Sequence, residues 1–62
     1  MKQIIELKNG NLAIVQSIRY VFNKCIFTFK IMQINGNWCS EHTESFTVGY
    51  YESVKEYIYQ NY

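Results

Sequence analysis

From Ile4 to Val48 the apolar positions fall mainly at every second residue, interrupted by Asn9-Gly10, Asn23-Lys24 and Asn35-Gly36. A period of two is the signature of a strand, and Asn-Gly between two such runs is the strongest short-range hairpin signal. The pattern predicts strands over Lys2–Lys8, Leu12–Phe22, Cys25–Ile34 and Trp38–Val48. Beyond Gly49 the period becomes helical. On a wheel of about 100° per residue, Tyr50, Tyr51, Val54, Tyr57, Ile58, Asn61 and Tyr62 share one side. Glu52, Ser53, Lys55, Glu56, Tyr59 and Gln60 share the other, which predicts a helix from about Tyr50 to Asn61 with no clear capping box. The expected architecture is α+β: a four-stranded antiparallel β-meander in order 1-2-3-4, with one C-terminal α-helix packed on one face. Residues 1–62 form a single small ββββα domain.

Two-residue turns set the pairing, because turn length fixes hairpin register. With Asn9-Gly10 as a turn, Leu7 faces Leu12 and Ile5 faces Ile14. With Asn23-Lys24, Phe22 faces Cys25, Tyr20 faces Phe27 and Ile18 faces Phe29. With Asn35-Gly36, Gln33 faces Trp38 and Lys30 faces Glu41. One face then collects Ile5, Leu7, Leu12, Ile14, Ile18, Tyr20, Phe22, Phe27, Phe29, Ile31 and Trp38, and the helix stripe is expected to cover it.

A single helix covers one side of a sheet, so the opposite face must meet solvent or a partner. In this register it carries the row Ile4, Val15, Met32 and Cys39 beside the row Lys2, Ser17, Lys30 and Glu41, with Ala13, Val21, Ile26 and Ile34 adding apolar area. A contiguous apolar patch rimmed by charge marks an interaction surface. The other reading is that β-branched residues merely favour strands and need no partner when half exposed.

A chain of 62 residues lies near the lower limit for folding without a staple, yet 48% hydrophobic and 18% aromatic content is enough for a compact core. A net charge of +1 argues against strong non-specific attraction to nucleic acid or anionic membrane, and equally against an acidic nucleic-acid mimic. No apolar run is long enough to span a bilayer and no secretory leader follows Lys2, so a cytosolic setting and no membrane contact are expected. Cys25 and Cys39 fall on opposite faces in this register, which favours two free thiols over a disulfide. Ile, Asn, Lys, Tyr and Phe are abundant, with one Ala, one Arg and no Pro. That composition suits an AT-rich genome, including phages and mobile elements of low-GC bacteria.

Little in the chain points to chemistry. His42 is the only histidine, with Ser40, Thr43 and Glu44 close by, but no second carboxylate or activated nucleophile completes a triad. It reads as a structural imidazole near the Phe29 row, and no catalytic residue is expected. Cys39 and His42 have a spacing found in metal sites, yet they face opposite sides and lack a second ligand pair. The glycines are isolated turn positions and not a phosphate cradle. No metal or cofactor is expected.

Six tyrosines and Trp38 suggest base stacking, and Lys2, Arg19 and Lys30 share the open face, so single-stranded nucleic acid is the competing partner. Tyr59, with Tyr50 and Tyr62, is the displayed ring in that reading. The order of four meander strands and one helix, joined here by Ser45-Phe46-Thr47-Val48-Gly49, resembles the dimeric coactivator family that binds single-stranded DNA. That resemblance implies a dimeric nucleic-acid-binding domain. This chain departs from it in its smaller basic complement, and no functional residue carries over.

The leading expectation is a non-catalytic protein-binding module, an inhibitor or regulator of the phage or mobile-element type, working through the helix-free face. Ile4, Val15, Met32, Arg19, Lys30 and Glu41 are its expected contacts, with Tyr59 apart from them. Homodimerisation through the same face is the simplest variant.

Overall fold

The computed structural model describes residues 3–62, apart from the side chains of Trp38 and Cys39. The expected placements of Lys2, Trp38 and Cys39 therefore lie outside the described residues. Strands β1 (Gln3–Glu6), β2 (Leu12–Val21), β3 (Lys24–Met32) and β4 (Trp38–Thr47) are followed by helix α1 (Val54–Asn61). They form one antiparallel sheet in order β1-β2-β3-β4. The α+β meander with a C-terminal helix is thus the observed architecture.

The register differs from the expected one, and the turns explain how. Leu7 to Asn11 and Gln33 to Asn37 share the sequence x-x-Asn-Gly-Asn and the same geometry. Gly10 N–H donates to Leu7 O (3.0 Å) and Leu7 N–H to Asn11 O (2.8 Å); Gly36 N–H donates to Gln33 O (2.8 Å) and Gln33 N–H to Asn37 O (2.7 Å). Each is a type I turn closed by a glycine in the left-handed region, φ 89° at Gly10 and 90° at Gly36. The side chains of Asn9 and Asn35 accept from the N–H of Asn11 and Asn37, both at 3.0 Å, the local bonding that makes Asn a turn residue.

These loops are one residue longer than a two-residue turn, and one residue flips a strand. Ile5 therefore faces Ala13, and Glu6 faces Leu12. Ala13 and Val15 point to the core while Leu12 and Ile14 point away. A bulge between Val15 and Ser17 then inserts Gln16 and restores the expected parity, so Ile18 and Tyr20 lie on the helix side. The third hairpin behaves alike. The register shifts between Ile31 and Met32, with Cys39 as the extra backbone position, and Lys30 faces Glu41 as expected. In the second hairpin the turn is Phe22-Asn23 and not Asn23-Lys24, so Tyr20 faces Cys25.

The core is Ile5, Leu7, Ala13, Val15, Cys25, Phe27, Phe29, Ile31 and Phe46 under Val54 and Ile58, with Tyr51, Tyr57 and Tyr62 packed around it. The rings interlock. Phe27 meets Tyr57 edge-on with centroids 5.2 Å apart, and Phe29 meets Tyr62 edge-on at 5.3 Å, the offset geometries favoured by ring quadrupoles.

The helix begins four residues later than expected. Its cap is Ser53, in extended backbone, whose Oγ accepts from Glu56 N–H at 3.2 Å. Glu56 Oε2 reaches back to accept from Glu52 N–H at 2.8 Å, so Ser53-x-x-Glu56 is a variant of the capping box. At 1.5 Å per residue this helix is about 12 Å long, whereas β2 spans about 33 Å. The helix cannot roof the whole sheet, and the molecule is elongated, 38 × 18 × 18 Å.

Candidate functional site

The helix-free face is built by alternate residues of all four strands. Its rows are Leu12–Met32 and Ile4–Ile14–Lys30–Glu41, then Ser17–Thr28–Thr43, Arg19–Ile26–Ser45 and Val21–Lys24–Thr47. Every described side chain in these rows is exposed or half-buried. The apolar members concentrate at the Asn-Gly-Asn end. Ile4 is 64% exposed, Leu12, Ile14 and Met32 are half-buried, and Ile34 in the adjoining turn is 75% exposed. The middle is polar: Thr28 and Thr43 hydroxyls meet at 3.2 Å, and Lys24 Nζ donates to Thr47 Oγ1 at 3.0 Å.

The expected contact residues divide on this geometry. Ile4, Arg19, Lys30, Met32 and Glu41 do share the face. Val15 does not: it is 3% exposed in the core, because the longer first loop turned it inward. Ile14 and Leu12 take its place. Tyr59 stands apart on the helix, 44% exposed, with Lys8 Nζ 5.4 Å from its ring centroid. Tyr50 is displayed at 80% exposure, whereas Tyr62 is half-buried against Phe29 and His42. The sequence did carry a signal for Ile14: the identical Asn-Gly-Asn triplets mark the longer loop type, and that loop reverses the first half of β2.

On the helix side, β4 aligns Ser40, His42 and Glu44. Ser40 Oγ is 2.7 Å from His42 Nε2, and His42 Nδ1 is 3.9 Å from Glu44 Oε2. The latter distance is beyond a hydrogen bond, and the carboxylate is otherwise engaged. Tyr57 OH donates to Glu44 Oε1 at 2.6 Å, and Tyr62 OH donates to Oε2. The imidazole stacks on Phe29, centroids 5.2 Å apart. This arrangement ties the end of α1 to the sheet. The hydrogen bond from Tyr57 to Glu44, with burial, raises that phenol to about 12. Burial and the same carboxylate raise Tyr62 to about 12.

Cys25 is a free, buried thiol. Among the described residues no three His, Cys, Asp or Glu side chains converge as metal ligands, and no helix is long and apolar enough to cross a membrane. No protein-family model, curated protein or solved structure matches this chain.

Proposed function

We propose that this chain is a small non-catalytic protein-binding module, an inhibitor or regulator of the type that phages and mobile elements encode, and that it engages its partner through the helix-free face. One observation carries the reading: Ile4, Leu12, Ile14 and Met32 lie side by side across three strands with no element over them among the described residues. Lys30 and Glu41 continue the same row, and Arg19 lies further along the face. An apolar patch bordered by charge is a common anatomy of a protein interface. Met32 adds an adaptable side chain of the kind such surfaces favour. Arg19, Lys30 and Glu41 set orientation more than affinity.

The test is affinity capture from the native host lysate with the parent chain, Met32→Lys and Ile4→Lys side by side. A partner retained by the parent and lost with both folded variants supports the reading. Capture that survives both substitutions sinks it. A filter-binding titration with a single-stranded oligonucleotide at two salt concentrations checks the competing class. Strong retention at low salt that falls steeply as salt rises would replace the protein-binding reading.

A further inference from the structure

Among the described residues no element covers the edge of the second half of β2, and apolar side chains are exposed along it. β1 pairs with β2 only as far as Val15, so among the described residues Gln16 to Val21 have β3 on one side and no strand on the other. Natural sheets blunt such edges with charge. The other edge of this sheet, β4, follows that rule with Ser40, Glu41, His42, Thr43, Glu44 and Ser45. The β2 edge carries a single charge, Arg19, among exposed apolar side chains. Ile18 is 44% exposed, Tyr20 69%, Val21 42% and Phe22, at the tip, 99%.

We propose that this edge is the pairing surface for a second copy of the chain, joined antiparallel about a two-fold axis at Tyr20. The occupant follows from the register. Directly opposed residues in an antiparallel pair point to the same face, so a symmetric pairing must set one residue against its own copy. An axis at Ile18 drives the second copy's Val21 into the place where Gln3 already pairs with Val15. An axis at Arg19 opposes like charges, which is destabilising. An axis at Tyr20 sets ring against ring and Arg19 against the second copy's Val21, with the Phe22 turn of each copy just past the end of the ladder. It runs clear of β1, and the exposed Tyr20 rings close on one another. The Phe22 turn of the second copy then lands beside Ile18, at the rim of a depression of about 340 Å³ lined by Gln3, Val15, Gln16, Ser17 and Ile18.

Backbone bonds would supply affinity and the side-chain pairing its register, as in strand addition generally. The two sheets become one, with both helices on the same side. The helix-free faces stay open, so this pairing stands independently of the proposed function.

Sedimentation velocity over a concentration series tests it, on the parent, Tyr20→Lys, Phe22→Gly and Met32→Lys, with circular dichroism confirming that each is folded. The expected result is a concentration-dependent species of twice the chain mass for the parent and Met32→Lys. Tyr20→Lys opposes two charges on the axis and is expected to stay monomeric, and Phe22→Gly to weaken association at least about tenfold. A parent that remains monomeric up to about 1 mM overturns the proposal. So does a dimer that survives Tyr20→Lys, or one abolished by Met32→Lys, which would move self-association to the helix-free face.

Discussion

The two halves of β2 put apolar side chains on the same side of the sheet and give them opposite fates. Before the bulge, Ala13 and Val15 are 0% and 3% exposed; after it, on the same side of the sheet, Ile18 and Tyr20 are 44% and 69% exposed. Both halves pair with β3, but only the first also has β1 on its other side. The roof follows the same division: Val54 and Ile58 share the core with Ala13 and Val15. Beyond the bulge, cover lies over β3 and β4, where Phe27 and Cys25 opposite Ile18 and Tyr20 are each 1% exposed, and the β2 edge is left bare. Burial in a small sheet is set by which strands the covering element crosses, and an edge it does not reach is surface with apolar chemistry.

The sharpest way to break this comparison is to place one lysine in each half. Val15→Lys puts an unpaired charge into the core, at a cost of several kcal/mol. A domain of this size holds no more than about 5 kcal/mol in total, so the variant is expected to be unfolded at 25 °C by circular dichroism. Tyr20→Lys is expected to keep the parent's urea midpoint to within about 0.5 kcal/mol, measured where the chain is monomeric. Equal damage at both positions would mean that Tyr20 is covered in the folded chain, and the contrast would fail.

Much of this contrast was legible in the sequence, and the part that was not has a definite cause. The meander follows from three turn signals, and the helix stripe of Val54, Tyr57 and Ile58 from its spacing; both are periodic features averaged over many residues. Facing is different, since it depends on counting single residues. The extra residue in the Asn9-Gly10 loop turned Leu12 and Ile14 away from the core. The Gln16 bulge then turned Ile18 and Tyr20 back, so one end of β2 was misassigned and the other was not. Ser53-x-x-Glu56 was readable as the helix start, and it would have shortened the helix. Of the candidate contacts, Ile4, Arg19, Lys30, Met32 and Glu41 kept their face because they lie where the loop and bulge offsets cancel or do not apply.

A smaller effect is expected where the roof is tied down. Glu44 accepts hydrogen bonds from Tyr57 and Tyr62, and Glu44→Gln replaces two charge-assisted bonds with weaker ones. A loss of about 1–3 kcal/mol is expected, read as a shift in urea midpoint. The same contacts predict an alkaline limit. Both phenols titrate near 12 in the folded chain against an ordinary value of 10. The folded state therefore holds its protons longer, and its stability is fully present below pH 10 and falls as pH rises toward 12. Glu44→Gln is expected to flatten that fall. A parent whose midpoint is constant from pH 9 to pH 12 would show that the tyrosines gain nothing from the carboxylate.

The smallest effect is expected at the tip, where the uncovered half ends. Phe22 has φ 55°, and it is the first central residue of a two-residue turn, a place where glycine is the norm because a Cβ is strained there. Its ring is 99% exposed and so contributes nothing to the monomer core that offsets the strain. Phe22→Gly is therefore expected to stabilise the monomer by up to about 1 kcal/mol, seen as a higher urea midpoint at low concentration. The same substitution is expected to weaken self-association. Opposite signs from one substitution distinguish a residue held for contact between copies from one held for folding. If Phe22→Gly lowers monomer stability, the ring is packing against its own chain, and the second half of β2 belongs with the first.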